Sequence, residues 1–336
     1  NTDRKFKKTA EHPMTRFNVL LTDYAWPDVA IERDILAQGD ADLIVADDND
    51  AQTLAKLAGE HAVDAIMTNW AEVPAEVIAA SKQCRIVSRL GIGLDNIDVA
   101  HCTAQKIPVT NVPDYCVIEV AEHALASLLA LSRKIAFYHH ATKQGEYQLQ
   151  AGPTMRRIEG QTLGIVGLGN IGRRLAEKAL GLQLNVIATS RSGKNVPTGV
   201  EVVELDELLR RSDYVSLHVP LTEETKHLIG RDQLARMKSS AYLINTARGG
   251  VIDHDALNAA LQAGEVAGAA LDVQDPEPPD LSQPLYNHPG VIVTPHAAFV
   301  SEESLTDLRI RVATQVVTYL QGEKPAHVVN PEVFEC

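Results

Sequence analysis

The stretch Thr162-Leu163-Gly164-Ile165-Val166-Gly167-Leu168-Gly169-Asn170-Ile171-Gly172 decides the fold. An apolar, β-prone run leads directly into G-x-G-x-x-G, and residues 173–180 read as a helix ended by Gly181. Strand, glycine turn and helix, in that order, are what a dinucleotide site requires. The first glycine makes the tight turn, the second lets the backbone approach a pyrophosphate, and the third lets helix and strand pack closely. The helix N-terminus then offers N–H groups and a partial positive charge to an anion. Gly167, Gly169 and Gly172 are thus candidate cofactor-binding positions.

Outward from this stretch the pattern repeats in both directions. Upstream, β-prone runs at residues 17–21, 42–46, 65–68, 85–89 and 109–111 alternate with helical stretches such as 29–38 and 51–58. Downstream, runs at 162–166, 185–189, 214–218, 241–245, 269–273 and 291–294 continue the alternation. Between the two series lies a long helical segment, residues 119–139, with Ala121, Ala124, Leu125, Leu128, Leu129 and Ile135 at helical spacing. It carries few polar positions, which suits a domain junction or a subunit interface. A Gly- and Gln-containing loop follows, with Gly145, Gly152 and Pro153. A last helix at residues 302–320 lets the chain return to the first domain. Alternation of this kind predicts an α/β protein of two doubly wound parallel-sheet domains. The nucleotide domain, 114–297, is inserted into a flavodoxin-like substrate domain made of 14–113 and 298–336. Ligands of such sheets lie beyond the carboxyl ends of the strands, so the cleft between the domains is the expected site. Chain crossings near 112–117 and 297–301 are the expected hinges for closure over a substrate.

Composition narrows the function. The 336 residues carry 31 Lys and Arg against 44 Asp and Glu, a net charge of −13. That opposes non-specific binding to nucleic acid or to an anionic membrane surface, while leaving a local arginine able to hold a small anion. Cys84, Cys102, Cys116 and Cys336 form no C-x-x-C pair and read as free thiols in a reducing, cytoplasmic compartment. No metal site is expected: His139 and His140 are adjacent and cannot share a helix face, and Glu122-His123 lacks a second histidine. Residues 1–13 are polar and basic without an apolar stretch and read as a disordered leader, with Met14 a candidate start.

Three polar residues directly follow apolar runs of the second series: Arg248 in Asn245-Thr246-Ala247-Arg248-Gly249-Gly250, Glu277 in Leu271-Asp272-Val273-Gln274-Asp275-Pro276-Glu277, and His296 in Thr294-Pro295-His296-Ala297-Ala298. Singly, each reads as an ordinary loop residue. Jointly, they bring an acid, a base and a guanidinium to one sheet edge. With Arg89-Leu90-Gly91-Ile92-Gly93-Leu94-Asp95-Asn96-Ile97-Asp98, Val120-Ala121-Glu122-His123 and the glycine loop, they make the chain from Phe17 to Asn330 resemble the D-isomer-specific 2-hydroxyacid dehydrogenases. Asp23-Tyr24, Asn111-Val112-Pro113-Asp114-Tyr115-Cys116 and Ser301-Glu302-Glu303-Ser304 are most similar to the branch containing the C-terminal-binding-protein corepressors.

The resemblance implies roles that the side chains can perform. His296 is the general acid and base, and Glu277 holds its other ring nitrogen, since a neighbouring carboxylate favours a charged imidazole. Arg248 binds the substrate carboxylate, for which its planar fork is suited. Leu90, Gly91 and Ile92 offer backbone groups to the same carboxylate, and Phe299 either meets the substrate side chain or packs. Asn170 and Ile171 place amides on the pyrophosphate. His218, Val219 and Pro220 line the adenosine side, and Thr246, Ala247, Asp272 and His296 flank the nicotinamide. A homodimer is implied, built through the nucleotide domain and its long helix.

Two positions depart from the pattern. An NAD site places Asp or Glu at the end of the second strand to bind the ribose hydroxyls. Here the strand runs into Ser190-Arg191-Ser192-Gly193-Lys194. Without that carboxylate a 2′-phosphate is not repelled, and Arg191 can pair with it, so NADP(H) is preferred with NAD(H) possible. Val117 stands where relatives carry a threonine facing the cofactor. The expected reaction is reduction of small 2-oxo acids of the glyoxylate and hydroxypyruvate type. The alternative is a dinucleotide-sensing, corepressor-like binding protein with little turnover.

Overall fold

The computed structural model describes residues 17–335; residues 1–13, for which a leader is expected, Met14 and Cys336 lie outside them. The chain divides into two compact units, one made of residues up to Tyr115 and from Leu305 onward, the other of Cys116–Ser304. These divisions fall at Tyr115/Cys116 and Ser304/Leu305, where the sequence reading puts domain boundaries at 113/114 and 297/298.

The first unit runs β1 (Phe17–Leu21), α1 (Ala30–Gln38), β2 (Ala41–Val45), α2 (Ala51–Glu60), β3 (Ala65–Thr68), α3 (Ala75–Ala80), β4 (Ile86–Arg89), α4 (Val99–Ala104) and β5 (Val109–Thr110). Its sheet has the order β2-β1-β3-β4-β5, and every pair is parallel. Strands covered by helices on both faces carry apolar residues at successive positions, and Val19, Leu20 and Leu21 are all fully buried. Asp50 starts α2 by accepting from Thr53 N at 3.0 Å, and Asp98 starts α4 by accepting from His101 N at 2.8 Å.

The second unit runs α5 (Val117–Arg133), α6 (Ile135–Lys143), β6 (Thr162–Val166), α7 (Asn170–Gly181), β7 (Asn185–Thr189), β8 (Val200–Val202), α8 (Leu205–Arg211), β9 (Tyr214–Leu217), α9 (Arg231–Leu234), β10 (Tyr242–Asn245), α10 (His254–Gln262), β11 (Gly268–Leu271), α11 (Pro284–Asn287) and β12 (Val291–Val293). Its seven-stranded sheet has the order β12-β11-β10-β9-β6-β7-β8, again all parallel. The chain leaves β6 toward β7 and later returns to the other side of β6 as β9. The turn after β6 is therefore the topological switch point, where a ligand crevice opens. The helix α12 (Glu302–Leu320) then carries Leu308, Val312 and Val316 into the core of the first unit, beside Val19, Leu36 and Met67.

Two elements differ from the sequence expectation. The helix predicted over residues 119–139 is two helices, broken at Lys134, whose φ of 56° and ψ of 33° are left-handed. The break is fixed by the side chain: Lys134 Nζ donates to Tyr242 Oη and lies 4.3 Å from the centre of that ring. The sequence reading also passes over β8, a three-residue edge strand too short for its alternation to register.

Candidate active site

The loop after β6 binds its own neighbours tightly at two of its glycines and not at the third. Gly167 has φ of 99°, and a Cβ there would lie 2.6 Å from the His218 carbonyl oxygen. A Cβ on Gly172 would lie 2.3 Å from the Gly167 oxygen. A Cβ on Gly169 would meet nothing within 4 Å. Gly169 is the N-cap of α7 and no side chain caps that end, so the first N–H groups of the helix, beginning with Asn170 and Ile171, face outward. Further polar atoms on this edge are buried without a hydrogen-bond partner among the described residues, among them Thr246 Oγ1, just past β10, and His218 Nδ1, just past β9. Burial holds the His218 imidazole down to about 4, so its ring is neutral, and its Nε2 meets Ser216 Oγ at 2.8 Å. Val219 and Pro220 follow it along the same turn. An uncapped helix end, an open glycine and orphaned buried polar atoms together fit a bound dinucleotide.

The end of β7 is stitched to the same loop, with Gly167 N donating to Thr189 Oγ1 at 3.1 Å. Beyond it Ser190 Oγ accepts from Gly193 N at 3.1 Å, and Ser192 Oγ accepts from Lys194 N at 3.3 Å. This turn holds Arg191 at the surface. Glu224, held below the usual carboxylate range chiefly by Thr222, is lowered further by the charge of Arg191.

At the ends of β10, β11 and β12 the polar side chains are positioned by a common logic. Asn245, wholly buried at the end of β10, accepts from Ala247 N at 3.0 Å and donates to the Arg248 carbonyl at 2.8 Å. This clamp sets the turn that carries Thr246, Ala247 and Arg248, and Arg248 Nη1 donates back to Ala247 O at 2.8 Å. Asp272, 1% exposed, holds the turn after β12. Its side chain accepts from Thr294 Oγ1 at 2.5 Å and from Ala297 N and Ala298 N at 2.9 Å, and its carbonyl accepts from His296 N at 2.7 Å. Those bonds fix His296 at φ of 52°, a left-handed conformation that histidine adopts more readily than most residues.

So held, His296 presents Nδ1 to Glu277 Oε2 at 2.8 Å, with the two side chains 24% and 35% exposed. Glu277 is itself fixed through Oε1, which accepts from Gln274 N at 2.7 Å. Phe299, 8% exposed, packs edge-on against the imidazole with ring centres 6.0 Å apart. The second unit thus brings Arg248, Asp272, Glu277, His296 and Phe299 to the carboxyl edge of one sheet. In the first unit, Leu90, Gly91 and Ile92 form the turn after β4. The Gly91 carbonyl accepts from Val112 N at 3.0 Å, and that of Ile92 accepts from Asn111 Nδ2 at 2.8 Å.

Two positioning residues escaped the sequence reading. Asn245 had a signal in being the last residue of a buried strand. His123 stands in the quoted Val120–His123 stretch, but its role had no signal, because its partners are far away in sequence: its Nε2 lies 3.1 Å from Thr294 Oγ1 and 3.5 Å from Asp272 Oδ1.

Residues 125–298 match the family model of the D-isomer specific 2-hydroxyacid dehydrogenase, NAD binding domain. A glyoxylate reductase of Korarchaeum cryptofilum is 42% identical over 271 residues, 78% of this chain and 81% of that protein. Among solved structures, D-lactate dehydrogenase from Aquifex aeolicus with NAD and lactic acid superposes with a TM-score of 0.83 at 27% identity, over 93% of this chain and 99% of that one. An acyclic imino acid reductase with NADPH and D-Arg gives a TM-score of 0.83 at 27% identity, over 93% and 100%. The chain belongs to the D-isomer-specific 2-hydroxyacid dehydrogenases, nicotinamide-dinucleotide-dependent oxidoreductases of 2-hydroxy acids.

Proposed function

We propose that the protein is an NADP(H)-preferring reductase of small 2-oxo acids of the glyoxylate and hydroxypyruvate type. The observation that carries this reading is the 2.8 Å contact of His296 Nδ1 with Glu277 on the sheet edge that also bears Arg248. Reduction of a 2-oxo acid needs a hydride at C2 and a proton on the carbonyl oxygen. The bound nicotinamide supplies the hydride. With Nδ1 turned to Glu277, His296 directs Nε2 toward the substrate, gives its proton to the oxygen and recovers it in the oxidative direction. Arg248 grips the carboxylate through two parallel N–H bonds and draws charge toward the oxygen as it develops. The turn of Leu90, Gly91 and Ile92 offers backbone groups to a carboxylate, and Phe299 steadies the imidazole. Asn170 and Ile171 place backbone N–H groups on the pyrophosphate, in a loop that Gly167, Gly169 and Gly172 shape for its approach. His218, Val219 and Pro220 line the adenosine, and Thr246, Ala247 and Asp272 flank the nicotinamide.

The NADP(H) preference rests on Ser190, whose hydroxyl closes its own turn where a carboxylate would repel a 2′-phosphate, and on Arg191 and Lys194 beside it. A homodimer and a cytoplasmic location belong to the same reading. Support for the first comes from apolar side chains left outside on the second unit, Ile118, Ile135, Tyr147 and Leu149, which are 48%, 58%, 91% and 73% exposed. Support for the second comes from Cys84 and Cys102, both buried free thiols.

The test is a panel of NADPH and NADH against glyoxylate, hydroxypyruvate and larger 2-oxo acids. Turnover is expected with the small acids, faster with NADPH, and Ser190→Asp is expected to move the ratio toward NADH by about tenfold or more. A wild type that already prefers NADH overturns the cofactor assignment, and no turnover with any acid overturns the reaction.

A further inference from the structure

The amino edge of the seven-stranded sheet, opposite the edge just described, encloses a cavity of about 320 Å³. Lys134, Arg156, Gln161, Asp213 and Tyr242 are among its walls. Lys134 is 8% exposed, yet among the described residues it pairs with no carboxylate. Its ammonium has only the Tyr242 hydroxyl and the face of that ring. The acid on the cavity wall, Asp213, is already taken, by Lys238 Nζ at 2.9 Å and by Thr162 N at 2.9 Å. Arg156 adds a second positive charge at the exposed rim. Gln161 contributes a buried side-chain oxygen that accepts no hydrogen bond from any described residue.

A buried ammonium is costly unless an anion compensates it, and a neutral hydroxyl with a ring face does so only in part. A buried amide oxygen likewise calls for a donor. The volume is that of a small ligand site. We propose that this cavity binds a small hydroxylated organic anion. Its carboxylate or phosphate pairs with Lys134 and Arg156, and its hydroxyl donates to Gln161 Oε1. The site is separate from the one assigned to the substrate: β10 runs from Tyr242 at this edge to Asn245 at the other.

Isothermal titration of the full chain with D-glycerate, 3-phospho-D-glycerate, inorganic phosphate and acetate tests this. Wild type, Lys134→Gln, Arg156→Ala and Arg248→Met are compared. In Arg248→Met, which removes the carboxylate grip of the substrate site, a one-site isotherm is expected to remain, and the same binding is weakened about tenfold in Lys134→Gln and several-fold in Arg156→Ala. Acetate, lacking the hydroxyl, binds more weakly than D-glycerate by about tenfold. Binding of D-glycerate without inorganic phosphate identifies a carboxylate ligand, and the reverse identifies a phosphate. Should Lys134→Gln fail to fold, Arg156→Ala at the exposed rim still decides. No heat with any probe up to about 10 mM, or isotherms unchanged in both cation variants, overturns the proposal, as does complete loss in Arg248→Met.

Discussion

The two edges of the seven-stranded sheet are made by the same strands and solve opposite problems. At the carboxyl edge the charged groups are answered from within the chain: His296 by Glu277 at 2.8 Å, Asp272 by Thr294, Ala297 and Ala298. Among the described residues, what lacks a partner there includes neutral atoms such as Thr246 Oγ1 and His218 Nδ1. At the amino edge, beside the unpartnered Gln161 Oε1, a cation without a countercharge, Lys134, is fixed on an aromatic ring. On the proposed assignments, the contrast separates an edge that carries chemistry from one that only binds. Catalysis needs its proton-carrying groups oriented before substrate arrives, so the protein itself pairs them. A binding site can leave a charge for the ligand to neutralise.

The sharpest way to break this contrast is His296→Ala. Turnover is expected to fall by about a thousandfold while dinucleotide affinity, read by fluorescence titration, stays within a few-fold. A loss below tenfold would mean that the proton comes from another group. Glu277→Gln keeps the shape and removes the charge facing Nδ1. Its kcat is expected to drop by about a hundredfold, with KM for the oxo acid changing far less. A raised KM with kcat unchanged would assign Glu277 to substrate binding instead.

His218 sharpens the comparison through stability. Its ordinary value of 6.5 is lowered to about 4 in the folded protein. As pH falls from 6.5 toward about 4, the unfolded chain takes up a proton that the folded chain refuses, and stability is lost across that window. Above 6.5 the contribution is fully present. His218→Gln is expected to flatten this part of the Tm-against-pH curve, and an unchanged slope would count against a neutral buried ring. The smallest effect belongs to the amino edge, where Arg156→Ala is expected to leave turnover within about twofold in the absence of added anion. A large loss would tie the two edges together.

The edges also differed in how far the sequence revealed them. In a parallel sheet each strand delivers its next few residues to the carboxyl edge, so Gly167, Arg248, Glu277 and His296 stand in short, contiguous stretches beside apolar runs. The cavity of Lys134, Gln161 and Asp213 has no such spacing, because its members enter from a helix end and from separate strand starts. Lys134 was hidden further by the apolar periodicity on either side of it, which continues through the break as though one helix ran on. Asp272 was legible as a site position, but its bonds to Ala297 N and Ala298 N in the turn that carries His296 were not, since backbone partners leave no mark in side-chain pattern.

Of the glycines after β6, two are obligations of the polypeptide and one is not. Gly167 and Gly172 abut carbonyl oxygens of the chain, whereas the space above Gly169 is open. A methyl group at position 169 therefore leaves the bare fold intact and is felt only by a visitor. That residue records the shape of a guest, written into a place where the host has no need of it.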